Sequence, residues 1–271
     1  MTAEEINEIR KRIKEKNPLI HAITNPISIN QCANAVLAVG ARPVMAEHPK
    51  EVLSVTLSAD ALLVNLGNIT DARIKSIGIS SKAANKHNIP FVLDAVGVAC
   101  SELRRNFAKD IILQNRPAII KGNYSEIKAL EENDYKCFGV DAQNDLKKED
   151  ISYIAERLSK KSGAVILASG KVDIITDGKK LIYVKNGTPQ LAEITGTGCM
   201  LGILCSTFLA EASPVDAATA AAVVLGICGE LSETKKGSGS FLVNLIDNIS
   251  VLSNEVLKKH LKMEEMKVVK I

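Results

Sequence analysis

Apolar positions along this chain follow two periods. Between residues 61 and 170, short continuous apolar runs alternate with longer segments in which apolar residues return every three or four positions. The runs "ALLVNLG" (61–67), "PFVLDAVG" (90–97), "PAIIKGN" (117–123) and "AVILASG" (164–170) predict buried strands. Segments 70–88, 101–115 and 148–163, and the stretch that begins "SEIKALEE", predict helices, the first capped by Thr70 or Asp71. The N-terminal part reads the same way. Ile6, Ile9 and Ile13 stripe a polar helix over 3–16, "PLIHAIT" predicts a strand, and a helix opens at Ser28 and stops at Gly40. "RPVMA" is a short extended piece, and a helix follows over 48–59 with Pro49 suited to its first turn. Toward the C-terminus the pattern becomes a hairpin, "KVDIIT-DG-KKLIYV", with Asp177-Gly178 as a two-residue turn. Helices near 199–211, 214–233 and 240–261 come after it, and residues 133–147 look irregular.

Strands buried on both faces and separated by helices predict an α/β fold, a mainly parallel sheet with helices on both faces. The chain has 271 residues and shows no repeat, low-complexity segment or linker, so it reads as a single domain over 1–271. Ligands in such folds bind beyond the carboxyl ends of the strands. That rule selects Thr24 and Asn25, Met45, Gly67 and Asn68, Asp94, Lys121 to Asn123, and Ser169 with Gly170.

Composition narrows the partner. The N-terminus carries both signs of charge and no apolar core of a signal peptide. The most apolar tract, "AATAAAVVLGICG", is too short for a membrane span and predicts a buried helix. Six cysteines form no CxxC pair, so neither a zinc site nor a redox pair is indicated, and a reducing cytoplasmic setting is expected. Net charge is +3 and aromatics are 3%, with lysines dispersed among acids. Nucleic-acid binders show a basic face or stacking aromatics instead. A small molecule is the expected ligand.

Three stretches could carry chemistry. "TGTGC" (195–199) places two glycines before a helix, so successive backbone amides can form an anion site. No Lys follows as in a Walker loop, and a tight turn before a buried helix is the plain alternative. "KGNYSE" (121–126) sets Asn123 and Glu126 three apart, which suits a magnesium shell of oxygen ligands and equally a helix-capping pair. Asp94 ends "FVLD" and could reach magnesium or cap a turn. Cys199 could be a small buried residue or a proton acceptor favoured by the helix N-terminus. The four histidines show no ligand spacing, and "KKGSGSF" (235–241) reads as packing or capping.

Taken together, "PLIHAITNPISINQCANAVLAVGARPVMA", "VLDAVGV", "KGNYSEI", "ITGTGCMLG" and "GSGSF" resemble the hydroxyethylthiazole kinase family of the ribokinase-like superfamily, over nearly the whole chain. The resemblance implies a ribokinase-like three-layer fold and ATP-dependent phosphorylation of 4-methyl-5-(2-hydroxyethyl)thiazole, with magnesium. It also implies a homotrimer with sites at subunit boundaries. On the thiazole side it points to Asn25, Met45, Gly67 and Gly196. ATP is expected at Lys121 and Ser169 with Asn123, and magnesium near Asp94 and Glu126. Gly196, Thr197, Gly198 and Cys199 are expected at the transferring group. Where many relatives carry Asp, this chain has Cys199. A thiol with an ordinary pKa of ~8.5 is largely protonated near neutral pH and less available as a base. Arg is frequent at the Lys121 position and Thr at Ser169. Rival readings are a ribokinase-like kinase for hydroxymethylpyrimidine or pyridoxal, a repair dehydratase for hydrated nicotinamide cofactors, and a non-catalytic nucleotide sensor.

Overall fold

The computed structural model describes residues 1–132 and 147–267. Its parallel strands are β1 (Leu19–Ile23), β2 (Arg42–Val44), β3 (Ala61–Asn65), β4 (Phe91–Asp94), β5 (Ile119–Asn123) and β6 (Val165–Ser169). β7 (Asp173–Thr176), β8 (Lys180–Val184) and β9 (Met263–Lys267) continue the sheet in antiparallel sense, giving the order β2-β1-β3-β4-β5-β6-β7-β8-β9. The helices, in chain order, are α1 (Ala3–Lys16), α2 (Ile29–Val39), α3 (Val52–Leu57), α4 (Asp71–Lys86), α5 (Glu102–Asn115) and α6 (Tyr124–Glu131). α7 (Lys148–Ser162), α8 (Thr197–Leu209), α9 (Pro214–Leu231), α10 (Ser238–Val251) and α11 (Asn254–His260) complete them.

The period of two along each strand separates two cores. Ala61 and Leu63 of β3 pack with α1, α2 and α8 to α11, while Leu62 and Val64 pack with α3 to α7. The result is three layers, as the strand–helix alternation predicts. Local chemistry fixes the helix starts. Thr2 and Glu5 form a reciprocal capping box at α1, whose Ile6, Ile9 and Ile13 are buried. Thr70, one of the two expected caps, accepts the Arg73 amide at α4.

Several expectations need correction. Pro49 lies in the turn before α3 rather than in its first helical turn, because the Glu51 and Val52 amides both bond the His48 carbonyl. The hairpin loop has three residues between β7 and β8, since Asp177 Oδ1 accepts the amides of both Lys179 and Lys180 and holds a wider turn. The helix expected over 240–261 is two, divided at Leu252, where Ser253 caps α11 by accepting the Val256 amide. β9 and the 3-10 turn at Pro189–Glu193 are elements that the apolar pattern does not signal. The stretch read as irregular, apart from Lys147, lies outside the described residues. By length and composition α9 could cross a membrane, but 78% of it is buried inside the fold, under α8 and α10.

Candidate active site

Register brings the site together. β3, β4 and β5 are paired so that Asn65 lies beside Asp94, and Asp94 beside Lys121. All three share the face on which α8 packs, two positions beyond Leu63, Val92 and Ile119 of that core. Their side chains form a buried polar row. Lys121 Nζ donates to Asp94 Oδ1 at 3.0 Å, and Asn65 Nδ2 donates to Asp94 Oδ2 at 2.9 Å. The row continues to Cys199 on α8, whose Sγ accepts from Asn65 Nδ2 at 3.3 Å and from Asn25 Nδ2 at 3.2 Å. Asn65 Oδ1 also accepts the Gly67 amide at 2.8 Å, so one side chain fixes the end of β3, Asp94 and the thiol.

Burial sets the charges. Asp94 is wholly shielded from solvent, which pushes its carboxyl up to about 6 even though Lys121 pulls it down. Burial also works against the Lys121 ammonium, but Asp94 and then Glu126 outweigh it and hold its pKa above the ordinary value. Near neutral pH the two are therefore an ion pair. The buried thiols that do not line the cleft are held in the protonated form. Burial pushes Cys32 and Cys228 to about 12 and Cys205 well above the usual range.

Above this row opens a cleft of about 510 Å³. Its wall includes the sequence-predicted Asn25, Gly67, Lys121, Asn123, Glu126 and Ser169, together with Gly196, Gly198 and Cys199. The first turn of α8 forms one side. Gly196 holds φ +97° at its N-cap, and a Cβ there would come within 3.1 Å of Ser28 Cβ, so only glycine fits. No side chain caps the α8 amides, and the first helical bond is from Met200 to Gly196. The leading amides and the helix dipole therefore remain available to an anion. Thr197 is turned the other way, its hydroxyl donating to the carbonyls of Leu191 and Ile194, where it ties down the bend.

The other predicted residues sit less directly. Asn123 and Glu126 form the capping box of α6, with Asn123 Oδ1 on the Glu126 amide and Glu126 Oε2 on the Asn123 amide. Glu126 Oε1 also accepts the Gly97 amide at 2.8 Å, linking α6 to the turn after β4. Ser169 lines the cleft and its hydroxyl points to the Gly122 carbonyl at 3.4 Å. Met45 is half-buried against the α2 core and is not among the residues lining the cleft. Asp94 sits behind Lys121. The strand ends do not include Asn65, which a count of two from Leu63 places on the α8 face, nor Ile27, Val96 and Arg104 of the cleft wall, whereas Thr195 belongs to the glycine turn already singled out.

Magnesium takes about six oxygen ligands. Among the described residues no three His, Cys, Asp or Glu side chains converge to hold a metal ion. Both Asp94 oxygens are engaged and shielded. Each Glu126 oxygen accepts one amide and keeps further acceptor capacity toward the cleft. This donor set fits an ion carried mainly by phosphate oxygens and water, with Glu126 bordering it, and does not fit a cage of protein ligands.

An uncapped helix N-terminus, a buried lysine and a carboxylate at the carboxyl edge of a parallel sheet suit the binding of phosphoryl groups, and the fold is of the ribokinase-like class. Solved structures agree. A hydroxyethylthiazole kinase protein from Pyrococcus horikoshii OT3 superposes with a TM-score of 0.90 at 32% identity, covering 97% of this chain and 99% of that one. Pyridoxal kinase from Staphylococcus aureus shares the fold at a TM-score of 0.65 and 14% identity, over 93% of this chain and 99% of that one. The hydroxyethylthiazole kinase family model matches residues 10–255. Hydroxyethylthiazole kinase 2 of Clostridium botulinum (strain Okra) is 47% identical over 94% of this chain and 98% of its own length. Hydroxyethylthiazole kinase 1 of Methanosphaera stadtmanae is 38% identical over 98% and 99%. The chain belongs to the hydroxyethylthiazole kinase family.

Proposed function

We propose that this chain transfers the terminal phosphoryl group of ATP to the hydroxyl of 4-methyl-5-(2-hydroxyethyl)thiazole, salvaging the thiazole half of thiamine. The observation that carries this reading is the uncapped first turn of α8 facing a cleft that Lys121 also lines, in a member of this kinase family.

Phosphoryl transfer asks a protein for alignment and charge neutralisation more than for covalent help. Amides from Gly196 to Cys199 and the α8 dipole are suited to the oxygens of the transferring group, and they need not reorganise. Lys121, Asn123 and Ser169 make the nucleotide side, and Asn25, Gly67 and Gly196 the alcohol side. Cys199 is a proton acceptor within the cleft. In a loose transition state the hydroxyl releases its proton late, so a modest base suffices. Magnesium, when bound, offsets charge on the phosphate oxygens, and Glu126 with Asn123 would meet it through water. Asp94 acts behind them by keeping Lys121 in place.

Met45, away from the cleft wall of one chain, fits a site completed by a neighbouring copy. Ile27 lines the cleft and is 64% exposed, and Leu37 of α2 and Val243 of α10 are also exposed on helices that pack together. These apolar residues support association between copies of the chain, and the homotrimer with sites at subunit boundaries is the assembly the family resemblance implies. We read residues 1–271 as one domain and the enzyme as cytoplasmic.

Incubation with ATP, magnesium and the thiazole alcohol, read by mass, tests the reading. The product should gain one phosphoryl group. Phosphorylation of hydroxymethylpyrimidine or pyridoxal in its place would move the activity to another small-alcohol kinase.

A further inference from the structure

We propose that the Arg104 guanidinium grips the phosphate chain of the nucleotide, as the one side-chain cation of the cleft wall free to do so among the described residues. The inference rests on the phosphotransfer reading of the same cleft.

Charge is the first argument. The charged side chains lining the cleft are Arg104, Lys121 and Glu126. Lys121 is already matched by Asp94 at 3.0 Å. Glu126 is satisfied by backbone amides and forms no ion pair among the described residues. Once Asp94 is counted, these side-chain charges cancel. A polyphosphate entering the cleft would find the α8 amides and one cation without a carboxylate partner. That cation is Arg104, whose guanidinium has neither an ion pair nor a hydrogen bond within the described residues.

Position is the second argument. Arg104 stands in the first turn of α5, where its own amide donates to the Ser101 hydroxyl at 3.4 Å. A cation in a first turn opposes the helix dipole, so α5 gains nothing from it. The side chain lies over the turn after β4. Gly97, at φ +79°, lies so close under the side chain that a Cβ would stand 2.2 Å from Arg104 Nη1 and 3.3 Å from its Cζ. The Gly97 amide in turn donates to Glu126 Oε1. A half-buried guanidinium is thus seated on a glycine at the cleft wall, opposite in kind to the shielded ammonium of Lys121. Its planar fork suits two phosphate oxygens at once, which Lys121 cannot match.

Calorimetric titration of ATP and of adenosine into wild type, Arg104→Met and Arg104→Lys separates the possibilities. Arg104→Met should weaken ATP at least about tenfold, as loss of a charge-assisted hydrogen bond implies, and leave adenosine unchanged. Arg104→Lys should recover part of the loss. Steady-state kinetics should show the KM for ATP rising while the KM for the alcohol holds. If ATP and adenosine weaken equally, or neither changes, in a variant that melts like wild type, the inference is overturned. Should Arg104→Met not fold, Arg104→Gln, polar and uncharged, carries the same comparison. A wild-type chain that binds ATP but phosphorylates no thiazole alcohol would sink the substrate reading and leave the ATP-to-adenosine ratio to judge Arg104. Absence of ATP binding by wild type would overturn both.

Discussion

Replacing Lys121 by Met keeps the side chain's length and removes the cation beside a carboxylate that sees no solvent. The two charges are 3.0 Å apart, with side-chain exposures of 4% for Lys121 and 0% for Asp94. Removing one member of such a pair costs about 3–5 kcal/mol, because the survivor is left charged and unpartnered. Asp94 has a way out, which is to take up a proton. Burial already pushes it up to about 6 with Lys121 in place, and without Lys121 it rises further. Its folded-state pKa lies above the unfolded value near 4. Its favourable contribution is therefore complete below the unfolded value and is lost as pH rises through the folded one. The Lys121→Met penalty should be small at about pH 5 and grow toward pH 8, by up to about 1.4 kcal/mol per pH unit. Urea unfolding at both pH values measures it. Adding Asp94→Asn removes the charge and should recover most of the loss and flatten the slope. A penalty equal at the two pH values, or no recovery in the double variant, would refute the claim that these groups meet as ions.

Gly198→Pro should fold, since proline is tolerated in a first helical turn and a Cβ at 198 meets only Lys121 Nζ at 3.5 Å. It removes one amide donor and should lower kcat by about 10²–10³. Cys199→Ala should lower turnover clearly less, and equal losses in folded variants would refute that ordering. Glu126→Gln keeps a capping side chain at α6 and should raise the magnesium concentration needed for half-maximal rate; an unchanged metal titration would remove Glu126 from that role. Gly202→Ala ought to stabilise a helix by about 1 kcal/mol on propensity alone, yet its Cβ would stand 2.8 Å from Asp94 Oδ2. It should lower Tm, and a raised Tm would mean that Asp94 can move.

Much of the fold was legible because buried parallel strands are continuous apolar runs. The strand-end rule found Asn25, Gly67, Asn68, Lys121, Asn123 and Ser169 of the cleft wall, and the glycine turn added Thr195, Gly196, Gly198 and Cys199. What it missed depends on register and on packing between elements. Asn65 is the last residue of β3 rather than a residue after it, and its importance appears only when β3, β4 and Cys199 are in place. Arg104 is hidden inside an ordinary helical pattern, and only the approach of Gly97 marks it. The chain gave no local reason for Thr197 to face Leu191 rather than the cleft. β9, "MEEMK", lacks a buried-strand pattern, because edge pairing to β8 rather than apolar alternation makes it a strand. The break at Leu252 is hidden in the sequence because apolar residues continue across it, and only the Ser253 cap marks the new start.

The same packing explains how so short a motif could serve the proposed transfer. Every residue of α8 is buried except Gly198, although Cys199 keeps a small exposed edge at the cleft. The helix is locked between α9 and the strands β3 and β4. Its leading amides thus cannot follow a substrate about, and their orientation is set before any ligand arrives, which is what electrostatic preorganisation requires. Gly198 is where that locked helix opens to the cleft. The polar row beneath serves the same end from the sheet side, since Asn65 ties the thiol of α8 to the carboxylate of β4 that holds Lys121. On the proposed reading, core packing and catalytic geometry are one set of contacts. Adjustment to different alcohols or nucleotides must come from the less buried wall, where Ile27, Asn68 and Arg104 stand.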